Sequence, residues 1–375
     1  MNDATPHVIG ALVGDVVRAP SARTKFGLLF AAVARRLSLT QVYDADLRGW
    51  ARALNAVQVF HPNRQRWKER FQQNVPAFVA RSRQMTQRLR ALRDPHAVVL
   101  QGGALFDASD AGLPVVIYTD YTAALAARKP ASGRSPFSAS QRDAWIALER
   151  RALERATHIC TRGQFVREAI LADYHIAPER VTAIGGGVNF ATLPECAPRL
   201  RAAAPTALFI GKDFFRKGGD LVLRAFAQVR AQVPGAELLM LTAGAIPAEL
   251  PRAGVHVIAP TWDRAVIETL YRRADVFVIP SRLETWGDVL LEAMAFGVPC
   301  VGVAGEAMEE IIVPEQTGAI VPPENVDALA AQLVRVLRDR ALGARWGLAA
   351  RARVEQNYTW DRVVERLYPF LVTAQ

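Results

Sequence analysis

Asp275-Val-Phe-Val-Ile-Pro280-Ser-Arg-Leu-Glu284-Thr-Trp286-Gly287-Asp288-Val-Leu290-Leu-Glu292-Ala-Met294-Ala-Phe-Gly297-Val-Pro299-Cys300-Val-Gly-Val303 is the stretch that decides the fold. It opens with an apolar run at 276–279, ended by Pro280, which predicts a strand buried on both faces of a parallel sheet. A turn follows, then a helix that presents Val289, Leu290, Ala293, Met294 and Phe296 to the sheet. Gly297 stands where a C-terminal glycine belongs, with Pro299 just beyond. A second apolar run at 298–303 is the next strand. The stretch is one strand–loop–helix–strand unit of a doubly wound sheet, where ligands bind at the carboxyl ends of the strands.

Two carboxylates mark this unit. Glu284 lies in the loop at the mouth of the sheet. Glu292 lies on the helix, whose side chains tilt back toward its N-terminus. Both can therefore reach one crevice. Between them, the first amides around Trp286, Gly287 and Asp288 make an anion site, and Gly287 allows close approach to the backbone. One anion site flanked by two acceptors suits a sugar nucleotide. Two glutamates at such a spacing are more often an unrelated loop charge and a solvated helix residue, so the surrounding residues must carry the reading.

They do so through a resemblance. Glu284, Gly287 and then Glu292-Ala-Met-Ala-Phe-Gly-Val-Pro299 resemble the E-x7-E signature of retaining glycosyltransferases of the GT-B fold, glycosyltransferase family 4 in particular. The resemblance implies an α/β protein: two Rossmann-like doubly wound parallel-sheet domains facing across a cleft.

Length and composition agree with that architecture. The 375 residues suffice for about two domains, and 51% hydrophobic content supports sizeable cores. Cys160, Cys196 and Cys300 lie far apart, which argues against a disulfide framework or a cysteine zinc site and fits a reducing compartment. The polar residues 1–6 and the short apolar run 8–13 lack a basic leader and are too short for a signal peptide or a span. The expected location is therefore the cytoplasm. Net charge is +10, unevenly spread. Residues 1–190 carry 26 Lys and Arg against 15 Asp and Glu, and residues 191–375 carry 20 against 21. Such asymmetry points to an acidic partner for the first half: a membrane surface, an acidic glycan or a nucleic acid.

Residues 1–190 read as the first domain. Strands are expected at 7–13, 40–43, 56–60, 97–101, 114–119, 158–161 and 181–185, with helices at 27–37 and 139–156. The loop after the first strand carries Gly14-Asp15 and then Arg23-Thr-Lys25, where the family often has a Gly-Gly pair. There is no G-x-G-x-x-G, which gives a dinucleotide little support. Three later strand ends carry Gln101-Gly102-Gly103, Thr119-Asp120-Tyr121 and Thr161-Arg162. Asp120 stands near the place of a family histidine, and it reads equally well as a turn or cap residue.

Residues 64–93 contain Arg64, Arg66, Lys68, Arg70, Arg81, Arg83, Arg88, Arg90 and Arg93, opposed only by Glu69. Trp67, Phe71, Val75, Phe78, Ser82, Met85, Leu89 and Leu92 recur at three- and four-residue steps, with a fresh helix start near Val75. Two basic amphipathic helices follow. Either they are ordinary surface helices, or they hold an anionic membrane on its inner face, chiefly through Arg81 to Arg93.

Residues 157–189, ending in Gly185-Gly-Gly-Val-Asn189, again resemble a family segment. Residues 191–204 read as the linker, and residues 205–357 as the nucleotide-sugar domain. Its first strand, 207–211, runs into Gly211-Lys212-Asp-Phe-Phe-Arg216-Lys217-Gly218-Gly219. Cations beside glycines just past a strand end suit a diphosphate. Lys217-Gly218 matches the family's Lys-Gly, and Lys212 replaces its usual arginine. A final helix in 358–375 crosses back onto the first domain, as the family implies.

What the resemblance implies for function is transfer of a sugar from a nucleoside diphosphate sugar to a lipid-linked or glycan acceptor. Glu284 would face the donor sugar and Glu292 the ribose. Lys217, Lys212 and the amides of Trp286, Gly287 and Asp288 would hold the diphosphate, with Gly14 also on the donor side. Glu284, Lys217 and Asp120 are the catalytic candidates. Asp15, Gly102, Gly103, Asp120 and Tyr121 are the acceptor-side candidates. No metal or cofactor is expected, and no D-x-D motif stands in a donor position. Other readings remain open: a sugar-nucleotide epimerase, a phosphorylase, or a non-catalytic binder of sugar nucleotides or nucleic acid. Nucleic acid is disfavoured because Trp67, Phe71 and Phe78 sit on the apolar stripe and not among the cations.

Overall fold

The computed structural model describes residues 7–19, 22–92, 94–129, 137–195 and 204–374. The readings made for residues 1–6, Arg93, Cys196 and most of the linker lie outside the described residues. The chain divides into two compact units, Met1–Gly186 with Trp360–Gln375, and Gly187–Thr359.

The first unit is built on strands β1 (His7–Leu12), β2 (Ser38–Asp44), β3 (Ala97–Gly102), β4 (Val115–Thr119), β5 (His158–Thr161) and β6 (Val181–Ala183). They form one parallel sheet in the order β2-β1-β3-β4-β5-β6. Its helices are α1 (Leu28–Ala34), α2 (Gly49–Gln58), α3 (Arg64–Gln72), α4 (Val75–Ala91), α5 (Ala123–Arg128), α6 (Ala139–Arg155) and α7 (Gln164–Tyr174). The strand order turns at β1, so the switch point, where a crevice opens at the carboxyl ends, lies between β1 and β3. The register puts Leu12 beside both Asp44 and Gly102. The loops that follow β1 and β3 therefore leave the sheet at the same height.

The second unit runs β7 (Thr206–Asp213), α8 (Gly219–Gln232), β8 (Glu237–Ala243), β9 (Val255–Ile258), α9 (Arg264–Arg273), β10 (Val276–Ile279), α10 (Asp288–Ala295), β11 (Cys300–Val303), α11 (Met308–Ile311), β12 (Gly318–Val321), α12 (Val326–Arg338) and α13 (Arg340–Asn357). Its sheet is also parallel, ordered β12-β11-β10-β7-β8-β9. Counted from β7, this is the Rossmann order 3-2-1-4-5-6 read from its far edge, with the switch point between β7 and β10. All four residues of β10 and of β11 are buried, as their unbroken apolar runs require.

One helix of the first unit comes late in the chain. In α14 (Trp360–Val372), Val363, Val364, Leu367 and Leu371 recur at helical spacing and are buried. They close a core with Leu29, Phe30 and Val33 of α1 and with Val8, Val98 and Val116 of the sheet.

Two sequence expectations are corrected. Residues 56–60 are not a strand: α2 runs through Gln58, and Val59 caps it. A short apolar run cannot by itself separate strand from helix. Arg81 does not face outward. It is 1% exposed in the core side of α4, where its guanidinium donates to Gln72 O at 2.9 Å and pairs with Asp46 at 3.4 Å. Burial lowers its pKa, offset mainly by Asp46. Phe78, Met85 and Leu89 are buried on the same helix, so Arg81 lies within the core-facing stripe.

Candidate active site

The second unit brings Lys217 and Glu284 together at the β7–β10 switch point. The loop after β7 turns tightly through Gly218, which adopts φ +75°. A Cβ there would sit 2.2 Å from the Pro280 carbonyl oxygen, so only glycine lets this loop lie against the end of β10. Gly211 clears the way for the Lys217 stem, since its Cβ would come 2.7 Å from Lys217 Cβ. Polar bonds then stitch the two loops together. The Arg282 amide donates to Arg216 O at 2.8 Å, and Arg216 Nη1 to Leu283 O at 3.1 Å. Arg282 grips the Asp220 carboxylate through both guanidinium nitrogens, at 2.7 and 2.9 Å.

This stitching presents Lys217 to Glu284. Lys217 Nζ donates to Glu284 Oε2 in an ion pair whose side chains are 14% and 7% exposed. Ser281 Oγ donates to the same oxygen at 3.2 Å. A third loop joins from β11: Glu306, in the left-handed region at φ +55°, accepts the Glu284 amide at 2.5 Å.

Glu292 is held by three segments that are distant in sequence. Asn189 Nδ2 donates to Oε1 at 3.2 Å, Arg264 Nη1 to Oε1 at 3.5 Å, and Tyr271 Oη to Oε2 at 3.1 Å. The Arg264 guanidinium stacks over Phe190 at 4.5 Å. Burial raises the Glu292 pKa, while Arg264, Asn189 and Tyr271 counter it. A carboxylate offers about four acceptor directions, and these three donors leave roughly one for a ligand hydroxyl. Glu292 is thus buried and networked, not a solvated helix residue. Asn189, Arg264, Tyr271, Ser281 and Glu306 were not singled out from sequence. Asn189 alone carried a local signal, at the end of the triple-glycine run.

Other expected donor residues separate by position. Gly287 caps α10 at φ +97° and Asp288 opens its first turn. The Trp286 ring lies in the core, edge-on to Tyr358, and its Nε1 has no hydrogen-bond partner. Lys212 is exposed at the end of β7.

The first unit carries its own pocket, a hollow of about 590 Å³ whose lining includes Gly14, Gly102, Gly103, Asp120 and Tyr121. Gly14, expected with the donor, is thus grouped here with the acceptor-side set. Its amide donates to Asp44 Oδ1 at 2.9 Å. Buried Gln101 shapes the rim by donating to Gly103 O and Phe106 O, at 3.0 and 2.8 Å. Asp120 is ion-paired with Lys25, from the basic segment that replaces the family's loop. Asp15 stands apart: it accepts the Val17 and Arg18 amides at 2.8 and 3.0 Å, which lower its pKa. It lines a second hollow with Asp44, Arg48 and Arg88.

Residues 198–353 match the family model described as glycosyl transferases group 1. This stretch is similar to group 1 glycosyl transferases. A glycogen synthase of Mycobacterium tuberculosis is 32% identical over 190 residues, 49% of this chain and 46% of that protein. A GDP-mannose-dependent monoacylated alpha-(1-6)-phosphatidylinositol monomannoside mannosyltransferase of Corynebacterium glutamicum is 34% identical over 165 residues, 40% of this chain and 43% of that protein. The matched part spans somewhat under half the length of these relatives. The solved sucrose-phosphate synthase of Thermosynechococcus elongatus aligns with 98% of this chain and 100% of its own, at TM-score 0.67 and 20% identity. The lipopolysaccharide glycosyltransferase WaaG aligns with 97% of this chain at TM-score 0.68 and 16% identity. These two likenesses establish the GT-B pair of Rossmann-like units. Among the described residues, no cluster of three metal-binding side chains occurs, and no helix is long and apolar enough to cross a membrane.

Proposed function

We propose that the chain transfers a sugar from a nucleoside diphosphate sugar to a glycan or glycolipid acceptor, with retention and without a metal. The observation that carries this reading is the Lys217–Glu284 pair at the β7–β10 switch point, inside the stretch that matches the family. A cation and a carboxylate side by side at that point suit the two ends of the scissile bond. Lys217, with Lys212 and the amides at Gly287 and Asp288, faces the diphosphate. Glu284 accepts from the donor sugar, and Glu292 uses its remaining acceptor direction on the ribose. The GDP-mannose dependence of the Corynebacterium relative supports a sugar-nucleotide donor.

The bond from the anomeric carbon to the phosphate oxygen breaks, and the electron pair leaves with the diphosphate. Charge grows on that oxygen, so preorganised cations lower the barrier. The acceptor hydroxyl attacks from the same face, and its proton passes to the departing phosphate. The first unit's pocket would hold the acceptor, with the Asp120–Lys25 pair supplying opposite charges to its hydroxyls. The test is nucleoside diphosphate release from a panel of sugar nucleotides, with and without EDTA, and with the product anomer read by NMR. Lys217→Ala should cut kcat/KM about 10²–10³-fold. Glu292→Gln should raise KM for the donor, because an amide offers fewer acceptors. Turnover at wild-type levels in both variants would refute the site.

A further inference from the structure

Helix α2 is turned inside out. A surface helix ordinarily buries its apolar stripe and shows water its polar side. Here the buried residue is Asn55, whose Nδ2 donates to Phe71 O at 3.1 Å. Trp67 Nε1 adds a bond to Ala56 O at 2.9 Å, and Arg52 lies over the Phe71 ring at 5.0 Å. These contacts fix which face points in. The apolar residues face out: Trp50 is 90% exposed, Leu54 59% and Val57 75%. Their spacing of four and then three residues puts them on one face. Phe60, 63% exposed and edge-on to Trp67 at 5.6 Å, extends the patch past the helix end.

Two cations of α2's own segment are already paired, Arg48 with Asp44 at 3.2 Å and Arg52 with Asp46 at 3.1 Å. The neighbouring helix α3 is different: it carries Arg64, Arg66, Lys68 and Arg70 against Glu69 alone. Arg64, Arg66, Lys68 and Arg70 are all exposed on α3. By contrast, the arginines of α4 are partly used by the protein itself: Arg88 donates to Asp44 O and Arg90 to Asp110 O, both at 2.7 Å.

We infer that the α2 face, with the cations of α3, docks this protein on an anionic lipid bilayer. An outward stripe with a tryptophan, flanked by basic residues, is how a helix lies in the interface of an anionic membrane. Charge complementarity selects this occupant over a protein, since α3 sets four cations against one carboxylate. The inference goes beyond the proposed reaction and does not rest on it.

The experiment is co-sedimentation of the full chain with vesicles of phosphatidylcholine alone, or mixed with phosphatidylglycerol, at low and high salt. Wild type should pellet with the mixed vesicles at low salt and be released by salt. Changing Trp50, Leu54 and Val57 together to Ser should weaken binding tenfold or more, at an unchanged melting temperature because all three are exposed. Arg64→Gln, Arg66→Gln and Arg70→Gln together should lose the preference for the anionic lipid, about fivefold per cation at the surface. In a Trp262→Phe background, mixed vesicles should shield Trp50 fluorescence from iodide, a readout that leaves α2 intact. Wild type staying in the supernatant, or the Ser variant pelleting unchanged, overturns the inference. So does a wild-type dimer that the Ser variant turns into monomer, which would make a second copy the occupant.

Discussion

Replacing Lys217 with Met tests the centre of the site through stability alone, without a substrate. The substitution keeps the aliphatic stem over Gly211 and removes the ammonium. Glu284 then keeps its carboxylate in a place where it is 7% exposed, with Ser281 Oγ at 3.2 Å on the oxygen that Lys217 held. The Glu306 carboxylate remains close by on the Glu284 amide. Breaking a buried pair by removing one partner costs about 3–5 kcal/mol. The 14% exposure of Lys217 places this case near the lower end, at roughly 3 kcal/mol. Glu284→Gln leaves the cation on a flexible stem that can reach water, and should cost only about 1–2 kcal/mol. The double variant removes both charges. It should therefore lose some 2 kcal/mol less than the sum of the two singles. Urea unfolding of the full chain, followed by tryptophan fluorescence near neutral pH, gives the cycle. Additivity within about 0.5 kcal/mol would show that the two groups are not coupled, and the reasoning about the switch point would fail.

Gly218→Ala should destabilise by more than about 3 kcal/mol, because its Cβ would meet the Pro280 carbonyl at 2.2 Å as well as straining the backbone. Gly112→Ala, at φ +82° with nothing within 4 Å, carries only the strain and should cost about 1 kcal/mol; equal melting temperatures for the two would refute the clash. Burial lifts Glu149 from 4.5 to about 7, against its bonds from Tyr174 and the Ala123 amide. The folded state holds this proton more tightly, so the stability it contributes is full below pH 4.5 and lost as pH rises through about 7. That difference corresponds to roughly 3 kcal/mol. Thermal unfolding of Glu149→Gln should therefore gain on wild type between pH 5 and about 8, and a gap that does not change with pH would sink the assignment.

How far the sequence could be read depended on whether an interaction is local. Residues 275–303 carry strand, turn, helix and strand in unbroken order, and the apolar runs match β10, α10 and β11 to within about two residues. Lys217 and Glu284 could each be placed at a strand end, because apolar periodicity and glycines mark those ends. Their pairing depends on the order of β7 beside β10, which no single segment contains. The Glu292 network shows the same limit, since Asn189, Arg264 and Tyr271 come from three separate segments. Arg81 was misread because a run of arginines looks solvated as a whole. The positions 78, 81, 85 and 89 follow the helical period, and they would have placed Arg81 on the buried stripe. Residues 56–60 failed for a related reason: in α2 the apolar residues point away from the core, so the pattern has no inward face to report.

The helix α14 bears on how the protein matures in the cell. The core of the first unit needs Val363, Val364, Leu367 and Leu371, yet the rest of that unit has been made by Gly186. At ~5–20 residues per second, the intervening stretch takes roughly ten to forty seconds to synthesise. Through that interval the face formed by Leu29, Phe30 and Val33 waits without its cover. Gly187–Thr359 meanwhile becomes complete before α14 does. The unit made first is therefore the one able to finish last, and its open face is the one that chaperones would meet on the nascent chain.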